Sequence, residues 1–126
     1  MKIERLDHLV LTVRDVEATV AFYIQVLGMK PITFGNGRRA LSFGQQKLNL
    51  HSADEPLKPH AAHPTSGSAD LCLISSTPIS EVVAHLKGNG ITIEEGPVSR
   101  GGALGPITSV YFRDPDANLI EVSCYD

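Results

Sequence analysis

The chain has 126 residues, 42% of them hydrophobic, and a net charge of -3 with acids and bases scattered along it. This fits a single globular domain, and it offers neither a basic stripe for nucleic acid nor a polybasic anchor for a membrane. Cys72 and Cys124 make no CxxC pair and lie in apolar, strand-like stretches, so reduced core thiols are expected. The N-terminal residues contain no apolar signal core and no run approaches a membrane span, so a cytoplasmic protein is expected.

Residues 6–13 (Leu-Asp-His-Leu-Val-Leu-Thr-Val) read as a buried strand with His8 inside it. Alternation puts His8, Val10 and Thr12 on one face and Leu9, Leu11 and Val13 on the other. Asp15 is placed to cap a helix over 16–27 that Gly28 stops. Short strands follow over 32–34, 39–43 and 47–51, separated by Gly35-Asn36-Gly37 and Gly44-Gln45-Gln46, which are hairpin signals. This β-α-β-β-β module covers about 4–52. Residues 53–67 carry Pro56, Pro59, Pro64 and Gly67 without periodicity and read as a linker.

The second module, about 68–126, repeats the plan. A strand over 69–74 and a helix over 78–87 end at Gly88-Asn89-Gly90, and strands over 91–94, 107–113 and 119–124 follow. Asp114-Pro115-Asp116-Ala117-Asn118 closes the last hairpin, and the Gly-rich residues 95–106 read as a long loop. His8 and Asp70 lie 62 residues apart, as do Gly28 and Gly90, which indicates an internal repeat. Residues 48–51 fall on 120–123, making Asn49 the counterpart of Glu121. The fold class is α+β, with two tandem βαβββ modules.

Glu121 interrupts an apolar strand. An unpaired ionised carboxylate in a packed sheet is costly, so Glu121 is expected to be paired, metal-bound or facing a wet cavity. Its relatives in the repeat are His8, Asn49 and Asp70, and His51 shares a face with Asn49. A shared divalent metal would satisfy these polar groups together, and His nitrogen with carboxylate oxygen suits Zn, Mn, Fe(II), Co or Ni. Glu121 and His8 rank first as ligands, then His51, then Asp70. Asn49 is the poorest donor and is better suited to touching substrate. His51 and Asn49 are roughly 6.6 Å apart along a strand, so both reach one ion only through a bulge. Against this, His8 alone could be a hydrogen-bonded structural histidine, and Asp70 could pair locally near Ser68.

Arg100, the only cation of the Gly-rich loop, suits a substrate carboxylate or phosphate, or is simply solvated. Tyr111 could present a phenol to substrate or proton transfer, although core tyrosines are commoner. His60, His63 and His85 are expected at the surface.

The sequence resembles the vicinal oxygen chelate superfamily, which includes glyoxalase I, fosfomycin-resistance proteins, extradiol dioxygenases and bleomycin-resistance proteins. The resemblance rests on residues 6–13, on 21–28 (Ala-Phe-Tyr-Ile-Gln-Val-Leu-Gly), and above all on 111–123 (Tyr-Phe-Arg-Asp-Pro-Asp-Ala-Asn-Leu-Ile-Glu-Val-Ser). Within it the chain is similar to small glyoxalase-domain proteins of unassigned substrate, through 43–44, 49–51, 67–72 and 94–97. The resemblance implies an open, cupped mixed sheet around one divalent metal, a small substrate chelated through adjacent oxygens, and a homodimer. His8 and Glu121 match the family's ligands on its first and last strands. Asn49 stands where glyoxalase I has Glu, and Asp70 where several members have His; Ala117 replaces the Gly often found in the turn. The implied function is a metal-dependent lyase or isomerase of glyoxalase type in which Glu121 also serves as base. The alternatives are an extradiol-type dioxygenase and a metal-free small-molecule-binding protein.

Overall fold

The computed structural model describes residues 1–126 as two compact units, Met1–Gly67 and Ser68–Asp126. Unit 1 runs β1 (His8–Val13), α1 (Val16–Leu27), β2 (Lys30–Phe34), β3 (Arg38–Phe43) and β4 (Gln46–Ser52). Its open, four-stranded sheet has the order β1-β4-β3-β2. The β1–β4 pair is parallel and the other two pairs are antiparallel. Parallel neighbours need a crossover rather than a tight turn, and here the crossover carries α1 against one face of the sheet.

That face holds the core of unit 1. Helix α1 buries Thr19, Val20, Tyr23 and Val26, and the strands bury Leu11, Val13, Leu41, Leu48 and Leu50. Each fully buried Val or Leu contributes roughly 1.5–3 kcal/mol of transfer free energy. The helix ends are fixed locally. Asp15 accepts from the Ala18 N–H at 3.0 Å, and Gly28, in the left-handed region at φ 66°, donates to the Ile24 carbonyl.

Unit 2 runs β5 (Asp70–Ile74), α2 (Ile79–Gly88), β6 (Glu95–Gly102), β7 (Gly105–Arg113) and β8 (Leu119–Tyr125). Its sheet order, β5-β8-β7-β6, repeats that of unit 1. The register repeats too. His8 pairs with Lys47 and Val10 with Asn49 in unit 1, and Asp70 pairs with Leu119 and Cys72 with Glu121 in unit 2. Helix α2 buries only Val82 and Leu86 and has Pro78 at its N-cap without a side-chain bond. No helix of the chain is long and apolar enough to cross a membrane.

Four expectations need correction. Residues 91–94 are not a strand, and the Gly-rich stretch is not a loop: β6 occupies Glu95–Gly102 and turns through Ala103 and Leu104 into β7. Its glycines meet strand requirements instead. Gly96, at φ 109°, sits at the register shift between Glu95 and Val98, where a Cβ would overlap the Ser109 carbonyl oxygen. Next, β1 is only half buried. His8 is exposed, as are Leu9 at 42% and Val10 at 41%, because β1 is an edge strand of its sheet. Finally, both cysteines are free, but Cys72 lies at the surface and not in the core.

Candidate functional site

In unit 1, strand alternation and the observed register place His8, Val10 and Thr12 of β1 on the same sheet face as Lys47, Asn49 and His51 of β4. His8 opens β1, and its Nδ1 lies 2.8 Å from the Asp7 Oδ2. That bond, more than the nearby cations, holds the Asp7 carboxyl below its ordinary pKa. An ionised carboxylate only accepts, so Nδ1 is the donor, and in the neutral ring Nε2 then carries the lone pair. A carboxylate that fixes the tautomer in this way is a common support for a metal-binding imidazole.

Asn49 and His51 are 5% and 6% exposed, yet the Asn49 Oδ1 and both His51 ring nitrogens have no hydrogen-bond partner. Burial, followed by the charges of Arg38 and His60, holds the His51 pKa below its ordinary value, so the ring is neutral. His51 pairs with Thr12, four residues beyond His8 on the same face, which is roughly 13 Å of strand. Asn49, opposite Val10, is the nearer of the two to His8. The sheet therefore does not set His51 beside His8.

In unit 2, Asp70, Cys72, Glu121, Ser123, Tyr111 and Ser109 share one face of the β5-β8-β7 ladder. Glu121 is half-buried, with its Oε1 3.4 Å from the Ser123 hydroxyl. Ser123 also lies 2.6 Å from the Ser109 hydroxyl and 3.3 Å from the Cys72 sulfur. Burial and the neighbouring Glu121 push the Cys72 thiol up, so it is a protonated group and not a poised nucleophile. Asp70, exposed at the first position of β5, stands opposite Leu119, two positions from the Cys72–Glu121 pair.

Arg100, expected in a loop, is instead a strand residue of β6. Its Nε donates to the Tyr111 hydroxyl at 3.1 Å, and an Nη donates to Glu95 at 3.1 Å. Burial first and Glu121 second push the Tyr111 pKa up, so the phenol keeps its proton. The arrangement is a short chain, Glu95–Arg100–Tyr111–Glu121, able to bind an oxygen-rich ligand and to hold a proton next to a carboxylate.

The donors fit a divalent ion in kind. His8 has a free Nε2, Asn49 has an orphaned carbonyl oxygen, and Glu121 has a half-buried carboxylate with a long hydrogen bond from Ser123. Neither unit by itself gathers three His, Cys, Asp or Glu side chains about one point. Asp7, Glu95 and Arg38 were missed in the sequence. The Asp7-His8 adjacency was a usable signal for the first; the other two needed strand register.

The family model described as the Glyoxalase/Bleomycin resistance protein/Dioxygenase superfamily matches residues 5–122. Virulence protein STM3117 of Salmonella typhimurium is 56% identical over 125 residues, covering 99% of this chain and 87% of that protein. Glyoxalase domain-containing protein RDO1 of Mycosarcoma maydis is 49% identical, covering 99% of this chain and 70% of its own length. Among solved structures, the integron cassette protein VCH_CASS1 from the mobile metagenome of V. Cholerae superposes with a TM-score of 0.98 at 57% identity, covering 100% of this chain and 98% of that one.

Proposed function

The chain belongs to the glyoxalase/bleomycin resistance protein/dioxygenase superfamily, and from that premise we propose that it is a divalent-metal-dependent enzyme of glyoxalase type, a lyase or isomerase acting on a small substrate with adjacent oxygens. The observation that carries this reading is the Asp7–His8 pair, a histidine at an exposed strand start whose Nδ1 is committed to a carboxylate 2.8 Å away and whose Nε2 is left free. His8 in unit 1 and Glu121 in unit 2 are each proposed as a ligand of a divalent ion. When bound, it would act as a Lewis acid toward the substrate oxygens.

The chain's own residues supply the rest. Arg100 has no acceptor, so the Tyr111 oxygen receives its hydrogen and the phenol turns its own proton toward Glu121. The Glu121 carboxylate is the base available to take a proton from carbon, and Tyr111 keeps a proton beside it. Asn49, with its unsatisfied carbonyl oxygen, would accept a hydrogen bond from a substrate hydroxyl. We further propose a cytoplasmic homodimer.

Elemental analysis tests this on protein purified without a histidine tag and equilibrated with Zn, Mn, Ni or Fe(II). One ion per chain is expected, falling to near zero in His8→Ala and in Glu121→Ala. Negligible metal in the parent protein would overturn the reading in favour of a metal-free binding protein, and full metal in both variants would overturn the assignment of His8 and Glu121 as ligands. Turnover of a hemithioacetal but not of a catechol would then separate the lyase from a dioxygenase.

A further inference from the structure

Where β4 ends in unit 1, a cleft of about 550 Å³ is lined by the β2–β3 turn at Gly35 and Gly37, and by Arg38, Leu50, His51 and Leu57. Two observations distinguish it from a surface hollow. His51 is 6% exposed with both ring nitrogens unpartnered. At least one of them carries a hydrogen, and a buried donor without an acceptor is a loss the fold would not normally retain. Arg38 lies 4.8 Å over the Phe34 ring with no carboxylate partner, whereas its neighbour Arg39 is engaged by Glu17 and Thr33. Register continues the β3–β4 ladder so that Arg38 stands opposite His51. The cleft thus offers one cation without a carboxylate partner and one unpartnered neutral donor beside the apolar Leu57.

We infer that this cleft binds a small monocarboxylate with an apolar body, its carboxylate held by Arg38 and His51 and its body against Leu57. The charges select among anions. Arg39 is neutralised by Glu17, and Glu55 also lines the cleft, so a dianionic phosphate ester meets more repulsion than a single carboxylate does. A planar guanidinium pairs well with a carboxylate in two-point geometry. Neither His8 nor Glu121 contributes to the cleft, and His51 stands roughly 13 Å along the strand from His8, so the inference does not rest on a metal at His8 or Glu121.

The test uses the full chain, ¹⁵N-labelled, titrated with benzoate, with uncharged benzamide and with inorganic phosphate. Benzoate is expected to bind saturably with a Kd on the order of 1 mM, moving the amide signals of Gly35, Gly37 and His51. Benzamide and phosphate should bind at least about tenfold more weakly. Arg38→Gln, an exposed substitution that leaves the core intact, should weaken benzoate about tenfold or more. His51→Leu should do the same without loss of folded signal dispersion. Three results would overturn the proposal: no saturable benzoate shift, phosphate or benzamide binding as well as benzoate, or unchanged affinity in Arg38→Gln.

Discussion

The Tyr111 hydroxyl accepts the Arg100 Nε hydrogen at 3.1 Å while facing Glu121 from the adjacent strand. The two neighbours act oppositely on the phenol: Arg100 eases its ionisation, and burial together with Glu121 resists it more strongly. Tyr111 should therefore ionise above the ordinary tyrosine value, seen as a late phase in the ultraviolet titration that is absent from Tyr111→Phe. Glu121→Gln removes the opposing charge and should bring that phase to lower pH. Arg100→Gln should move it higher still. A phase that ignores both substitutions would mean that the three side chains are not coupled.

His51 carries a stability prediction with a definite sign. Its folded pKa lies below the unfolded value, with burial as the first cause. Over the window below about pH 6.5 the unfolded chain therefore binds more protons, and its contribution to stability is lost as pH falls through that range. His51→Leu removes both the titration and two unsatisfied nitrogens. It should raise stability at pH 7 by roughly 1–3 kcal/mol, the usual cost of a buried unpaired polar group. The gain should grow on acidification to pH 5 in urea unfolding. A variant less stable than the parent at both pH values would show that the imidazole has a structural partner after all.

Much of this arrangement was legible in the sequence because it follows from short-range chemistry. The Asp15 cap, the Gly28 stop and the turn at 114–118 depend on neighbours within five residues, and all are formed. The repeat likewise carried the strand register that makes Asn49 the counterpart of Glu121. The stretch 95–106 misled because glycine marks a loop locally, whereas Gly96 and Gly102 are required by Ser109 and Tyr125, residues distant in sequence. The exposure of His8 and the Arg38–His51 cleft depend on which strand is at the edge and how strands register. Alternation alone does not reveal either.

Ala117 is the one non-glycine residue with positive φ, at 65°, in the turn between β7 and β8. A left-handed conformation costs an L-residue roughly 1–2 kcal/mol, and a glycine there gives back about 0.4–1 kcal/mol through the greater freedom of the unfolded chain. Ala117→Gly should therefore stabilise by up to about 1 kcal/mol, a Tm rise of a few degrees for a chain of this size. Because Asp114 anchors the turn through the Asp116 and Asn118 N–H groups at 2.9 Å each, the loop geometry should not change. A fall in Tm would show that the Ala117 side chain makes a contact worth more than its backbone strain.

Ser123 donates to Glu121 and is itself paired with Ser109 on the same sheet face, and the contribution of that pair can be isolated. The hydroxyls are 2.6 Å apart and both residues are fully buried. Ser123→Ala leaves Ser109 without a partner and removes the hydroxyl 3.4 Å from Glu121, which should cost about 1–3 kcal/mol. Ser109→Ala leaves Ser123 its contacts with Cys72 and Glu121, so it should cost less. The double variant leaves no orphaned hydroxyl and should be more stable than the sum of the two losses implies, by roughly 0.5–2 kcal/mol. Urea unfolding of the four proteins measures this coupling directly. If the losses simply add, the 2.6 Å contact contributes nothing of its own, and Glu121 is held by its strand alone.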